Sequence, residues 1–188
     1  MKMISLLELR ENEMNLKEFF ASRFKDMYIM TADISSIKQK NLNGLTFSSV
    51  TKDNYSVFQN LGSFPLRILI KKGSVVGAFM NGEPVAVGGY YTYNKRGGVK
   101  TDYFLLRKSR LYLSCLWTSA RFRGKEIMGD LISYMVSSSE IKQGKVTLCV
   151  RVNNTSAIRC YEKNGFKIVK RRRFIHIKWP LDFPVYTV

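Results

Sequence analysis

An α/β domain is what the sequence predicts, and three features of it carry the prediction. Two are strand–helix units that succeed one another in the second half. "RLYLSCLWTS" (110–119) leads into "ARFRGKEIMGDLISYMVSSS", and "KVTLCVRV" (145–152) leads into "NNTSAIRCYEKNGF". The third is "SVVGAFMNGEPVAVGGYYTY", two β-rich stretches joined at Asn81-Gly82, a dipeptide suited to the positive φ angles of a two-residue hairpin turn. A chain of 188 residues fits one domain with one hydrophobic core.

Along the chain, residues 1–43 differ in character from residues 44–188. "MNLKEFFASRFKDMYIM" spaces Leu16, Phe19, Phe20 and Phe24 onto one helical side, which predicts an accessory helical segment that packs on the domain or serves as a partner-binding arm. A short strand is expected around 45–50. A helix then starts near Thr51 to Asp53 and is closed by Gly62. After the hairpin, the basic "NKRGGVK" (94–100) reads as a mobile loop. "RLYLSCLWTS" is apolar at nearly every position, as expected of a strand covered on both faces. In the helix behind it, Ile127, Met128, Leu131, Ile132, Met135 and Val136 form one apolar stripe. "KVTLCVRV" is the next buried strand. Asn154 or Thr155 caps the helix after it, whose Ala157, Ile158 and Tyr161 face inward and whose left-handed stop is Gly165. "KIVKRRRFIHIK" (167–178) alternates basic and apolar residues like a strand with one wet face. There are no internal repeats and no low-complexity tracts.

Composition bounds the functional classes. The chain is 45% apolar and 24% charged, ordinary for a globular protein, and has no apolar run near the ~20 residues that cross a bilayer. Its start, "MKMISLLELRENE", lacks the layout of a secretory signal, so a cytoplasmic protein is expected. Cys115, Cys149 and Cys160 are odd in number and widely spaced, which predicts buried free thiols. His176 is the single histidine, in a strand-like run without a CxxC nearby, so no metal site is expected. Against this, 31 Lys and Arg face 14 Asp and Glu, a net charge of +17 that points to an anionic cofactor or substrate or to a solvated basic face. Nucleic acid is not the expected partner, because the basic residues are scattered and no nucleic-acid-binding motif accompanies them.

"LCVRVNNTSAIRCYEKNGF" resembles the closing signature of the GNAT superfamily of acetyl-coenzyme A dependent N-acetyltransferases: a strand, an asparagine, Ala-Ile, Tyr and Gly-Phe. "RGKEIMGDLI" (123–132) resembles the cofactor loop of that family, written as Arg or Gln, two residues, Gly, one residue, Gly or Ala. Arg123 keeps its place, while Glu126 and Met128 replace the two small residues. The similarity covers roughly 44–178, which sets the expected domain at 44–188. It implies a mixed, mostly antiparallel central sheet flanked by helices, with the N-terminal helical extension added. It also implies acetyl-coenzyme A as co-substrate and no metal. Cofactor contacts fall on Trp117, Thr118, Arg123, Gly124, Lys125, Glu126, Ile127, Met128, Gly129 and Asn154, and Tyr161 takes the position of a proton donor to the departing sulfur.

The chemistry of these positions has physical reasons of its own. A strand that turns sharply into a helix presents unpaired backbone N–H groups at the positive end of the helix dipole, where a pyrophosphate is stabilised. Glu126 brings a negative charge there, or acts as a first-turn cap; Arg121, Arg123 and Lys125 compensate in charge. Backbone N–H groups around Trp117 and Thr118 are placed to support a thioester oxygen. Tyr161 is either the general acid or a core tyrosine with a satisfied hydroxyl. Glu83, Asp102 and Asp53 are the candidate bases, none placed by a motif, and a water chain is the alternative. The expected acceptor is a primary amine on a small molecule such as an amino sugar, preferably anionic, since a basic protein disfavours a polycation. The aromatic residues of "YYTYNKRGGVKTDYF" (90–104) line its pocket or sit on an exposed hairpin. The expected assembly is a monomer or homodimer. Three alternatives stand beside this reading: an inactive coenzyme A binding or regulatory module, an acyl-carrier donor, and an aminoacyl donor.

Overall fold

The apolar strands of the second half lie inside an eight-stranded sheet in a computed structural model, which describes residues 24–37, 44–61, 70, 73–92, 111–176 and 184–186. The strands are β1 (Phe24–Asp33), β2 (Leu45–Ser49), β3 (Ser74–Met80), β4 (Glu83–Thr92), β5 (Leu111–Thr118), β6 (Lys145–Arg151), β7 (Lys167–His176) and β8 (Pro184–Tyr186). Two α-helices are described, α1 (Ile127–Ser138) and α2 (Thr155–Lys163). The sheet runs β2-β3-β4-β5-β6-β1-β7-β8. Every neighbouring pair is antiparallel except β5 and β6, so the sheet is mixed and mostly antiparallel, as expected.

The β3–β4 hairpin turns at Asn81 and Gly82, both left-handed at φ 52° and 80°, and Met80 pairs with Glu83 across it. The α1 stripe is confirmed: Ile127, Leu131, Ile132 and Met135 are at most 1% exposed and pack on the sheet with Leu113, Leu148 and Phe166. Met128 departs from it, being half-buried at the helix start. On the opposite face Phe58 lies over Gly77, whose missing side chain makes the room for its ring. Phe58 belongs to a 3-10 turn, Tyr55–Leu61, where the sequence suggested an α-helix. The Thr51 hydroxyl accepts the Asp53 N–H and the Asn54 side chain accepts the Thr51 N–H, interactions that favour tight turns over a longer helix. Gly62 lies outside the described residues.

The N-terminal helical reading needs correction. Residues 24–33 are β1, which fits between β6 and β7 and pairs with both. Met27, Ile29, Met30 and Ala32 are each no more than 7% exposed, so this strand is covered on both faces. A strand buried on both sides loses the alternation that would identify it, and its apolar run matches a helical face equally well. Leu16, Phe19 and Phe20 lie outside the described residues, as do the 94–100 loop and Asp102.

β7 does not show the one wet face expected of it. Lys167 to Arg171 are all exposed, including Ile168 (42%) and Val169 (55%), because the β1–β7 register shifts between Ile29 and Met30 and interrupts the alternation. Further along, Asp26 of β1 accepts hydrogen bonds from Arg171 at 2.6 Å and Arg173 at 2.8 Å. Arg173 first, and then Arg171, hold its carboxyl down at about 2. None of the three cysteines is in a disulfide, as expected, but all three are half-buried rather than buried.

Candidate active site

β5 and β6 pair only from Leu111–Leu113 to Val146–Leu148. Beyond that point β5 runs on to Thr118 and β6 to Arg151 without pairing each other, and the gap opens a cleft of about 540 Å³. That volume suits a small-molecule ligand. The wall on the β5 side continues through the loop into α1, and α2 forms the other wall.

β5 changes course at a bulge. Val87 pairs with Trp117 and Gly89 with Ser114, so Cys115 and Leu116 together face Gly88. Cys115 is left-handed at φ 52°, a conformation that costs a non-glycine residue about 1–3 kcal/mol and persists where the surroundings impose it. Gly88 is one of those surroundings: a Cβ there would lie 2.8 Å from Leu116 Cδ2 and 3.0 Å from Met135 Cε. A bulge takes a residue out of the hydrogen-bonded ladder, so the interruption sits at Cys115 and Leu116, of which Leu116 lines the cleft, just upstream of the expected Trp117 and Thr118.

The loop from Thr118 to α1 is built around two left-handed residues, Gly124 at φ 79° and Glu126 at φ 60°. Glu126 is the N-cap residue of α1, yet its side chain makes no cap hydrogen bond, so the first-turn cap reading is not met. Its carbonyl takes the Gly129 N–H at 2.8 Å. Helix geometry leaves the N–H groups just ahead of Gly129 without intrahelical acceptors, at the positive end of the dipole. Arg123 donates from Nε to the Thr118 carbonyl at 3.2 Å and lays its guanidinium 5.8 Å from the Trp117 ring centroid, which braces the loop against the end of β5.

α2 is held at both ends. Asn154 caps it, its Oδ1 accepting the Ala157 N–H at 3.2 Å and the Ser156 hydroxyl at 3.1 Å. At the other end Gly165 takes φ 86°, the left-handed stop that its position predicted. Tyr161 lies between them, 7% exposed, and its burial, with a smaller effect from Cys160, raises the phenol well above the usual tyrosine value.

Nine of the eleven expected site residues line the cleft: Trp117, Thr118, Arg123, Gly124, Glu126, Ile127, Met128, Asn154 and Tyr161. Lys125 and Gly129 do not. The Lys125 ammonium sits 5.1 Å from the centre of the Phe122 ring. Gly129 is buried against α2, where a Cβ would lie 2.6 Å from Asn164 Oδ1, so close helix packing is what requires this glycine. Arg121 turns instead to Glu83 at 3.3 Å, an exposed pair outside the cleft. Asp53 borders a separate depression beside β2 and β3. Among the described residues Glu126 is therefore the one carboxylate that lines the cleft. Sequence reasoning missed Arg159, Cys160 and Lys163, which come to the cleft from α2. Their signal was helical: Arg159 and Lys163 are four apart, and so share a face.

The model of the Acetyltransferase (GNAT) family matches residues 46–166, which span the hairpin, the loop and both helices. The chain belongs to the GNAT acetyltransferase family. Solved structures share the GNAT fold at low identity. A putative GNAT acetyltransferase from Novosphingobium aromaticivorans aligns at TM-score 0.57 and 17% identity over 80% of this chain and 63% of that one. The glucosamine N-acetyltransferase region of a fungal multi-domain β-N-acetylglucosaminidase aligns at 0.63 and 14% identity, covering 88% of this chain and 22% of that one. A GNAT acetyltransferase from Elizabethkingia anophelis with acetyl-CoA bound aligns at 0.53 and 14% identity, covering 77% and 94%. The chain spans between 56% and 65% of the first three structures it matches. No curated protein matches it. Among the described residues of this GNAT protein, no helix is long and apolar enough to cross a membrane, and no three His, Cys, Asp or Glu are grouped to hold a metal ion.

Proposed function

We propose that the cleft binds acetyl-coenzyme A and that the protein transfers the acetyl group to a primary amine of a small molecule. The observation that carries this reading is the separation of β5 from β6 directly beside a helix start flanked by Gly124 and Arg123. An extended arm fits between two diverging strands, and a diphosphate fits the N–H groups at the start of α1. Acetyl-coenzyme A supplies an acyl group already activated as a thioester.

The chain's own residues provide the rest. The β5 bulge brings Leu116 to the cleft wall, where a backbone N–H would support an oxygen that gains negative charge. Tyr161 keeps its proton on Oη throughout the physiological range, because burial raises the phenol, and stands ready to donate a hydrogen bond to a departing thiolate. Asn154 orients the start of α2 at the cleft edge through its cap bonds. No carboxylate among the described lining residues except Glu126 is placed to take the proton from the amine, which favours water in that role. An amino sugar is the acceptor class we favour. One structural neighbour is a glucosamine N-acetyltransferase region, and a net charge of +17 repels polycationic amines. Three thiols outside any disulfide suit a reducing compartment such as the cytoplasm.

A second reading, a coenzyme A binding module without catalysis, is favoured by Glu126, whose carboxylate stands at the helix start in a left-handed conformation. Thermal unfolding with and without acetyl-coenzyme A tests the binding, since a ligand at 100 times its Kd adds about 2.7 kcal/mol of stability. Release of free thiol with a panel of amines then separates the two readings. Stabilisation together with thiol release on glucosamine supports the transferase, whereas stabilisation without release on any amine supports the module.

A further inference from the structure

We infer that the first part of β7, Lys167 to Arg173, is a peripheral docking surface for the anionic headgroups of a lipid bilayer. The inference is independent of what the cleft binds.

The run "KIVKRRR" (167–173) holds five cations and no carboxylate, the densest basic stretch of the chain. Asp26 on β1 takes up part of that charge, accepting from Arg171 and Arg173. Lys167, Lys170 and Arg172 take part in none of the ion pairs of the described residues. The same run also holds two of the three exposed large apolar side chains among the described residues, Ile168 at 42% and Val169 at 55%. A bulge against β1 produces this exposure. Ile29 pairs with Lys170 and Met30 with Ile168, so Val169 is left over, and a bulge bends its strand and re-aims the extra side chain. On the other edge, β8 pairs with β7 only from Phe174 to His176, so no described strand covers Lys167 to Arg173 there. Strand alternation puts Lys170 and Arg172 on one face and Arg171 and Arg173 on the other. The result is a projecting strand with two aliphatic side chains near its start and cations on both sides.

Charge sets the class of partner, and shape decides within it. A second copy of this chain would bring the same cations against these, and the bulge deters regular strand addition. A folded acidic protein meets one face of a strand, whereas these cations point to both. Single-stranded nucleic acid is held by stacking on flat side chains, which Ile168 and Val169 do not offer. A bilayer surface suits both kinds of group at once. Its fluid headgroups gather around cations on either side, and the apolar layer beneath accepts the aliphatic tips. Long Lys and Arg stems keep the charges at headgroup level while the tips enter. The net charge of +17 adds a long-range attraction.

Co-sedimentation of the whole chain tests this, with vesicles of phosphatidylcholine alone and of an equal mixture of phosphatidylcholine and phosphatidylglycerol. At low salt the chain should pellet with the mixture and stay in solution with phosphatidylcholine, and added salt should weaken the binding. Each cation at an anionic surface strengthens partition by about fivefold, so Lys170→Gln/Arg172→Gln should lose roughly twentyfold. Ile168→Ser/Val169→Ser changes no charge and should lose about tenfold. Lys52→Gln/Lys145→Gln, an exposed pair elsewhere, is the control and should bind as the wild type does. The changed side chains lie outside the core, so thermal melts of all three variants should match the wild type. Absence of binding to the anionic mixture overturns the inference. So does a control that loses as much as the β7 charge variant, since diffuse charge then explains the binding. A serine variant that binds as the wild type does also overturns it, since nothing then enters the apolar layer. Tighter capture by polyglutamate or by a single-stranded oligonucleotide, in competition with the vesicles, assigns the run to an acidic polypeptide or to nucleic acid and overturns it as well.

Discussion

The carbonyl of Tyr161 accepts the backbone N–H of Phe166 at 3.0 Å, and the two rings lie 6.1 Å apart. The Gly165 N–H meanwhile bonds to the Glu162 carbonyl at 3.0 Å, so the end of α2 is closed by a paired hydrogen-bond motif with its accompanying apolar contact. The turn that ends the helix therefore also fixes the ring placed in the cleft. Its pivot is Gly165 at φ 86°, with Ser36 Oγ 3.3 Å from where a Cβ would stand. Gly165→Ala should cost about 1–2 kcal/mol for the left-handed conformation. A thermal melt that leaves the midpoint unchanged would show that the motif does not constrain the helix end.

Tyr161→Phe keeps the packing against Phe166 and removes the proton. A positioned proton donor contributes about 10²- to 10⁴-fold, so kcat for acetyl transfer should fall by that range with little change in coenzyme A affinity. The measurement is steady-state thiol release with the amine that the panel identifies. A phenylalanine variant within about threefold of wild type would return Tyr161 to a purely structural role, the outcome expected if loss of its hydroxyl costs only about 1–3 kcal/mol of stability.

Glu126→Gly should help on two counts. It relieves a left-handed conformation that costs a side-chain-bearing residue about 1–2 kcal/mol, and it removes a negative charge from the start of α1. Tighter coenzyme A binding is expected, with a thermal midpoint no lower than wild type. Gly124→Pro should do the opposite, since proline cannot reach φ 79°. Calorimetry on both variants decides the matter, and weaker binding by the Glu126→Gly protein would assign the carboxylate a positive role in the site.

Asp26 couples β1 to β7 and gives the fold an acid-sensitive element. Its carboxyl sits at about 2 when folded, against roughly 3.9 in an unfolded chain. The stabilisation is therefore fully present above about pH 4 and drains away as pH falls toward 2. Asp26→Asn should lower the urea midpoint at neutral pH and flatten its decline in this acid window. Parallel declines for the two proteins would show that the arginine pair does not hold β1 in place.

Much of the site was legible because its signals are local. Asn81-Gly82 requires left-handed turns, the α1 stripe repeats at helical period, and Asn154 and Gly165 bracket a helix by backbone chemistry alone. β1 was not legible, because "MYIMTA" is apolar for a reason that lies in two distant strands. Gly129 resembled a phosphate-loop glycine, although its cause is the Asn164 side chain on another helix. Arg159 and Lys163 belong to no motif in the sequence, and it took the splay of β5 and β6 to give their face of α2 a cleft. The bulge at Cys115 left no mark in the sequence, since a left-handed cysteine has no compositional signature.

The position of β1 has a consequence for how the molecule comes into being. Met27 must find Arg151 on one side and Arg172 on the other, partners that leave the ribosome long after it does. During synthesis the strand waits with both hydrogen-bonding edges open, and β6, when it emerges, has an edge that only this early segment can close. Contacts so distant in sequence make closure of loops the slow step, and the intermediate before it is the species most exposed to aggregation. A chain cut at residue 44 would keep the loop and both helices but carry that open edge permanently.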